Sequence, residues 1–268
     1  MAHPSGLHAA SSSVSVPAPA WLGSPQTLRS LDVVTTLADF AIITYAVDPD
    51  RLQRLLPSDF TAHTVNIDGR PRALVSAVPF RDLDFRFGFA PWLRFHFGQT
   101  NYRAYVLYRG TPCVWFFGTS LATPWYVIPA YLWRLPWHHA RMRFDATWEG
   151  DRCRQYRLAT GGAWGRAVLD LEGSDEPMGI LPGFSSEDET AQILTHPLVG
   201  YFHRRDGRVG SYSVWHDRLR LQRGRVTRAR FQVFCDLGLV GESDAPHSAL
   251  LQRATEFHVY LPPRVVRD

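Results

Sequence analysis

Tight-turn dipeptides set between alternating apolar runs recur along this chain, and they leave little room for a helical fold. Asp68-Gly69 splits "HTVNIDGRPRALVSAVPF" into two strand-like halves. Arg109-Gly110-Thr111-Pro112 separates residues 99–108 from 113–119, and Asp206-Gly207 divides "YFHRRDGRVGSYSVWH" in the same way. Residues that accept positive φ at a two-residue turn match the twist of the strands they join, so each of these predicts a hairpin. Val33 to Val47 is a further β-rich run, and Arg225 to Phe234 alternates as a strand. Helix is predicted at three places. At 49–56 Asp48 caps and Pro49 starts the first turn, 124–134 is a second candidate, and at 187–195 Ser185 or Ser186 precedes Glu187-Asp188-Glu189. Many short strands with few helices predict a mainly β (α+β) fold, a barrel or sandwich with helical decoration.

No internal repeat or linker interrupts residues 30–262, so one domain is expected over 27–262, preceded by a disordered leader at 1–26. That leader has neither a basic start nor a continuous apolar stretch, unlike a signal peptide. With 45% hydrophobic and 20% charged residues, the chain has enough apolar material for a packed core. Cys113, Cys153 and Cys235 are widely separated and odd in number, which predicts no disulfide framework, no metal site and a reducing, cytoplasmic setting. Thr111 to Trp133 lacks any charge and is long enough to span a bilayer. Yet Pro112, Pro124 and Pro129 interrupt it and arginines flank both ends, so a buried strand, a turn and a short aromatic helix are expected, with no transmembrane segment.

All 29 basic residues are arginine. Any mechanism that needs a lysine amine, such as a Schiff base with a carbonyl substrate, is therefore closed to the side chains. Between Phe85 and Phe144 there is no Asp or Glu, against seven arginines and three histidines. From Arg204 to Arg230 nine arginines face only Asp206 and Asp217. Such patterns raise nucleic-acid or membrane-surface binding as an alternative. No helix-turn-helix, zinc-finger or RNP-type motif accompanies them, and an anionic small ligand held by one or two inward arginines is more economical. Glycine-rich phosphate loops, a nucleophile elbow and a zinc-protease motif are all missing, and no cofactor is expected. His138 and His139 are sequence neighbours that point apart on a strand, which suits structural roles better than metal ligation.

Three motifs carry a resemblance. In "QTNYRAYVLYRGTPCVWFF", Asn101, Arg103, Tyr105 and Val106 match a Glu-x-Asn-x-Arg-Thr-Tyr-Val run, and Gly110, Pro112, Val114, Phe116 and Phe117 match Gly-x-Pro-Gly-Val-x-Phe-Phe. In "LPWHHARM", Leu135, Pro136, His139, Ala140 and Met142 match Leu-Pro-Tyr-x-His-Ala-x-Met. Together they resemble the YqjF-like family of uncharacterised bacterial proteins, over about 33–235, with His216 matching a histidine after a later hairpin. That resemblance implies an acetoacetate decarboxylase-like, cone-shaped barrel. Gln99 stands where the family has glutamate, and Gly118-Thr119-Ser120 where Ser-Leu-Asp is usual. The related decarboxylase works through a Schiff-base lysine, so its chemistry does not transfer to this chain.

Arg103 sits inside an apolar, aromatic strand, where a guanidinium is costly unless paired. Asn101, Arg103, Tyr105 and Leu107 share one strand face. Arg103 either pins the barrel to a distant carboxylate or, with Gln99, Asn101 and Tyr105, grips a ligand carboxylate or enolate-like oxygen between aromatic walls of Trp115 and Phe117. The second reading predicts a binding protein, or a lysine-free enzyme, for a small aromatic or keto-acid-like anion. His139 and His216 are the acid–base candidates if a reaction is catalysed. A homo-oligomer is compatible with this reading.

Overall fold

Strands dominate the computed structural model, which describes residues 23–266; residues 1–22 of the expected leader lie outside the described residues. The predicted turns are where the chain reverses. β3 (Thr64–Ile67) and β4 (Arg70–Phe87) are joined by Asp68 at φ 51° and Gly69 at φ 76°, the two positive angles a two-residue hairpin requires. β5 (Phe95–Tyr108) and β6 (Thr111–Leu121) meet in the same manner across Arg109-Gly110, so Thr111 and Pro112 are already strand.

The other strands are β1 (Val33–Val47), β2 (Phe60–Ala62), β7 (Trp137–His139), β8 (Arg141–Glu149), β9 (Arg152–Gly161), β10 (Ala167–Pro177), β11 (Val199–His203), β12 (Val209–Trp215), β13 (Gln222–Phe231) and β14 (Ser248–Val265). Among the described residues four short α-helices decorate them, α1 (Pro49–Gln53), α2 (Val127–Leu132), α3 (Glu187–Thr195) and α4 (Gln232–Asp236), with a 3₁₀ turn at Pro124–Tyr126 leading into α2. The strand expected to reach Phe234 stops at Phe231, and α4 takes over. Val233 and Phe234 lie in one core cluster, which successive residues of a flat strand, pointing to opposite faces, do not reach together.

Pairing runs β1-β4-β5-β6-β11-β12-β14 and returns to β1, so seven strands close into a barrel. From β14 an arm of four strands, β13-β10-β9-β8, continues the same sheet. One apolar cluster fills the barrel, with Leu37, Phe40, Ile42, Val78, Phe80 and Phe116 among its members. A second lies between the barrel's outer wall and the arm, where Ile43, Tyr45, Tyr102 and Trp115 meet Tyr156 and Leu169. β1 is consequently buried on both faces, which is why it reads as a continuous apolar run instead of an alternation. Among the described residues no helix is long and apolar enough to cross a membrane.

Candidate ligand-binding site

Alternation along β5 decides what enters the barrel. Tyr102, Ala104 and Val106 pack outward against the arm, and Gln99, Asn101 and Arg103 face an interior cavity of about 120 Å³. Tyr105 lies beneath Arg103, fully buried in the barrel's apolar cluster, and does not itself line the cavity. A hydroxyl chain fixes it: Thr44 Oγ1 lies 2.9 Å from Ser76 Oγ, Ser76 Oγ 2.9 Å from the Tyr105 hydroxyl, and that hydroxyl donates to the Leu194 carbonyl at 3.1 Å.

Arg103 shares the last partner. Its Nη2 donates to Leu194 O at 3.0 Å and to the Tyr105 hydroxyl at 3.3 Å. Leu194 is in the last turn of α3, whose N-terminus is fastened by Ser186 Oγ accepting from Glu189 N and by the Glu189 carboxylate accepting from Ser185 N and Oγ. The C-terminal carbonyls of a helix lack intrahelical partners and carry its negative dipole end. Arg103 is therefore held by a helix end. Among the described residues no carboxylate forms an ion pair with it, and its Nε is buried without a hydrogen-bond partner. The pairing of Arg103 with a distant carboxylate is absent there.

His216 takes the next carbonyl of the same helix end. Its ring nitrogens lie 2.9 Å from Thr195 O and 2.7 Å from Asp217 O, and the ring stacks on Phe257 at 4.3 Å. A neutral imidazole has one N–H, so it satisfies one of these oxygens and crowds a lone pair against the other. Burial, reinforced by the nearby His196 ring and Arg103 charge, pushes its pKa down to about 4 despite both carbonyls. Asn101 lines the cavity beside them: its Oδ1 accepts from Gln99 Nε2 and Thr119 Oγ1, both at 2.9 Å, which leaves its N–H donors for the cavity.

Besides Tyr105, three expected site residues lie away from the cavity. His139 is exposed at the end of β7, with its ring 5.8 Å from that of Tyr126, and it does not line the cavity. Trp115 and Phe117 point outward, Trp115 against Phe60 and His203. The cause is a β-bulge. Asn101 pairs with Thr119 and Tyr102 with Gly118, but Arg103 pairs with Phe116, so Phe117 is the extra residue and parity switches there. Phe116 becomes the aromatic wall instead, stacked on Tyr212 at 5.6 Å.

Sequence reasoning missed Asp82. It lines the cavity, is buried, accepts from Thr35 Oγ1 at 2.9 Å, and leaves Oδ2 with no partner. Burial raises its pKa to about 7. The signal was present: Val78, Phe80 and Asp82 occupy one strand face, and the first two are apolar.

A family of uncharacterized conserved proteins matches residues 34–256. No curated protein matches the sequence. An acetoacetate decarboxylase-like enzyme from Sphingomonas wittichii RW1 is similar at 11% identity, covering 94% of this chain and 100% of its own, with a TM-score of 0.63. Acetoacetate decarboxylase from Legionella pneumophila subsp. pneumophila str. Philadelphia 1 is 16% identical over 95% of this chain and 94% of its own, at 0.58. The enduracididine biosynthesis enzyme MppR, solved with pyruvate, is 12% identical over 91% and 92%, at 0.59. At these identities the likeness is one of fold.

Proposed function

The chain belongs to that uncharacterized family, DUF2071, and from its acetoacetate decarboxylase-like barrel we propose that it binds a small organic anion through Arg103. One observation carries this reading: a guanidinium that faces a cavity, has among the described residues only carbonyl and hydroxyl oxygens as hydrogen-bond partners, and keeps a buried Nε without one. A carboxylate is the bidentate complement of that fork, and an enolate-like oxygen its monodentate one. Asn101 supplies neutral donors alongside. A cavity of about 120 Å³ is close to one of about 150 Å³ known to admit benzene, so a keto acid or single-ring acid suits the head of the site.

Binding is favoured over catalysis by distance. Ser76 is the β4 partner of Arg103, and Asp82 lies six residues along β4, roughly 20 Å of strand. A small acid held at Arg103 does not reach that carboxyl, and His216, neutral and engaged with backbone oxygens, is the titratable group beside it. Nucleic-acid binding through Arg204–Arg230 is disfavoured by pairing: Arg204 and Arg208 hold Asp206, Arg218 holds Asp188, Arg225 holds Glu172 and Arg230 holds Glu242. One fold relative was solved with pyruvate, so titration calorimetry with pyruvate, acetoacetate and benzoate is the direct test. Binding that disappears in Arg103→Met supports the proposal; no binding, or binding unchanged in that variant, rejects it.

A further inference from the structure

The cavity wall does not end at its mouth. Phe85, Phe87, Pro129, Trp133 and Trp137 line both the cavity and an open groove of about 290 Å³ outside it. Ile128 and Leu132 of α2 carry the groove onto the surface, 59% and 68% exposed. Among the described residues no charged side chain lines it. Scattered apolar side chains on a surface are ordinary, but a contiguous trough of them marks a contact site.

β5 ties the two volumes together. Phe95 and Phe97 face the groove, and Gln99, Asn101 and Arg103 continue the same strand face into the cavity. One face thus runs from an apolar end to a cationic end, with roughly 20 Å of strand between Phe97 and Arg103. Asp82, among the described residues the one carboxyl on the cavity wall, sits opposite Phe97 on this path. Burial keeps it protonated up to about pH 7, so the passage carries little charge below that.

We propose that cavity and groove form one elongated site whose ligand is an amphiphilic organic acid, with its carboxylate at Arg103 and an unbranched apolar tail leaving past Phe85 and Trp137 onto α2. This rests on the anion-binding role of Arg103 and adds the chemical class of what is attached to the anion. A short keto acid alone leaves the trough uncovered; a tail continuous with the head covers it without a second molecule. The polar groups sit at the inner end and the aromatic groups at the outer end, the order an amphiphile requires.

The test is a series of straight-chain acids (acetic, hexanoic, decanoic and hexadecanoic), each below its critical micelle concentration, titrated calorimetrically into the full chain. The comparison protein is Ile128→Glu/Leu132→Glu, whose substitutions are at exposed positions and leave the core intact. Wild-type affinity should rise with chain length, by up to about fourfold per buried methylene, which is ~0.8 kcal/mol. In the double variant the longest acids should lose at least about tenfold, with hexanoic acid bound as before. Affinity independent of chain length, with Arg103-dependent binding of short acids retained, overturns the tail and leaves the anion site standing. A chain-length effect untouched by the double variant overturns the groove as its location. A wild-type dimer in gel filtration that the double variant dissociates, without any chain-length effect, assigns the trough to a second copy and overturns the proposal. If no acid binds at any length, the anion reading fails and the tail with it.

Discussion

Arg103 is held by the end of a helix, and that predicts its response to substitution. In Arg103→Met the Leu194 carbonyl keeps its hydrogen bond from Tyr105, so no acceptor is orphaned. The loss of stability should stay within about 1 kcal/mol, against the roughly 3–5 kcal/mol seen when one partner of a buried ion pair is removed. Anion affinity should fall by about 2–5 kcal/mol. A thermal melt read beside a titration separates the two outcomes, and a melt showing the larger loss removes Arg103 from the site. Lysine-free composition makes a second residue-scale prediction: borohydride trapping with pyruvate or acetoacetate, read by peptide mapping, should yield no internal adduct. The inward face of Gln99, Asn101, Arg103 and Tyr105 was legible because strand alternation is local. The partners of Arg103 were not, because a backbone carbonyl ninety-one residues away leaves no mark in the sequence. His216 and His139 were indistinguishable for the same reason, and only packing against α3 selects His216.

Single elements show where pattern reading breaks. The three hairpin turns were visible because positive φ demands particular residues. The bulge at Phe117 was not, and it moved Trp115 and Phe117 from the expected cavity wall to the outer core. Gly118 beside it was the available clue, since glycine inside a strand often marks a bulge or a close approach. Here the approach is real: a Cβ at Gly118 would stand 2.7 Å from Trp164 and 3.1 Å from the Pro136 carbonyl. Gly118→Ala should cost about 1–3 kcal/mol, the range for overpacking. Urea denaturation measures it, and a cost below a few tenths would mean that Trp164 yields freely and that the strand does not need the glycine.

Across the whole molecule, two buried groups in one cavity work against each other as pH changes. His216 has a folded pKa near 4, below its ordinary 6.5, so the unfolded chain takes up the proton first and stability is lost as pH falls from about 6.5 towards 4. Asp82 has a folded pKa near 7, above its ordinary 3.8, so its contribution is complete below about 4 and is lost as pH rises to 7. Asp82→Asn should therefore steepen acid destabilisation relative to wild type, and His216→Gln should lessen it, each by about 3 kcal/mol across the window. Denaturant midpoints at several pH values measure both slopes, and identical slopes in all three proteins would refute the assignment. Barrel closure has a further consequence, in the order of synthesis. Val33 finds its closing partner in Val259, and Ala41, Ile42 and Ile43, fully buried once the barrel forms, lie in the strand that emerges first. Translation at ~5–20 residues per second leaves that strand without its last neighbour for roughly 10–45 s. Until β14 is made, β1 presents one apolar, unpaired edge, the kind of surface that chaperones exist to cover.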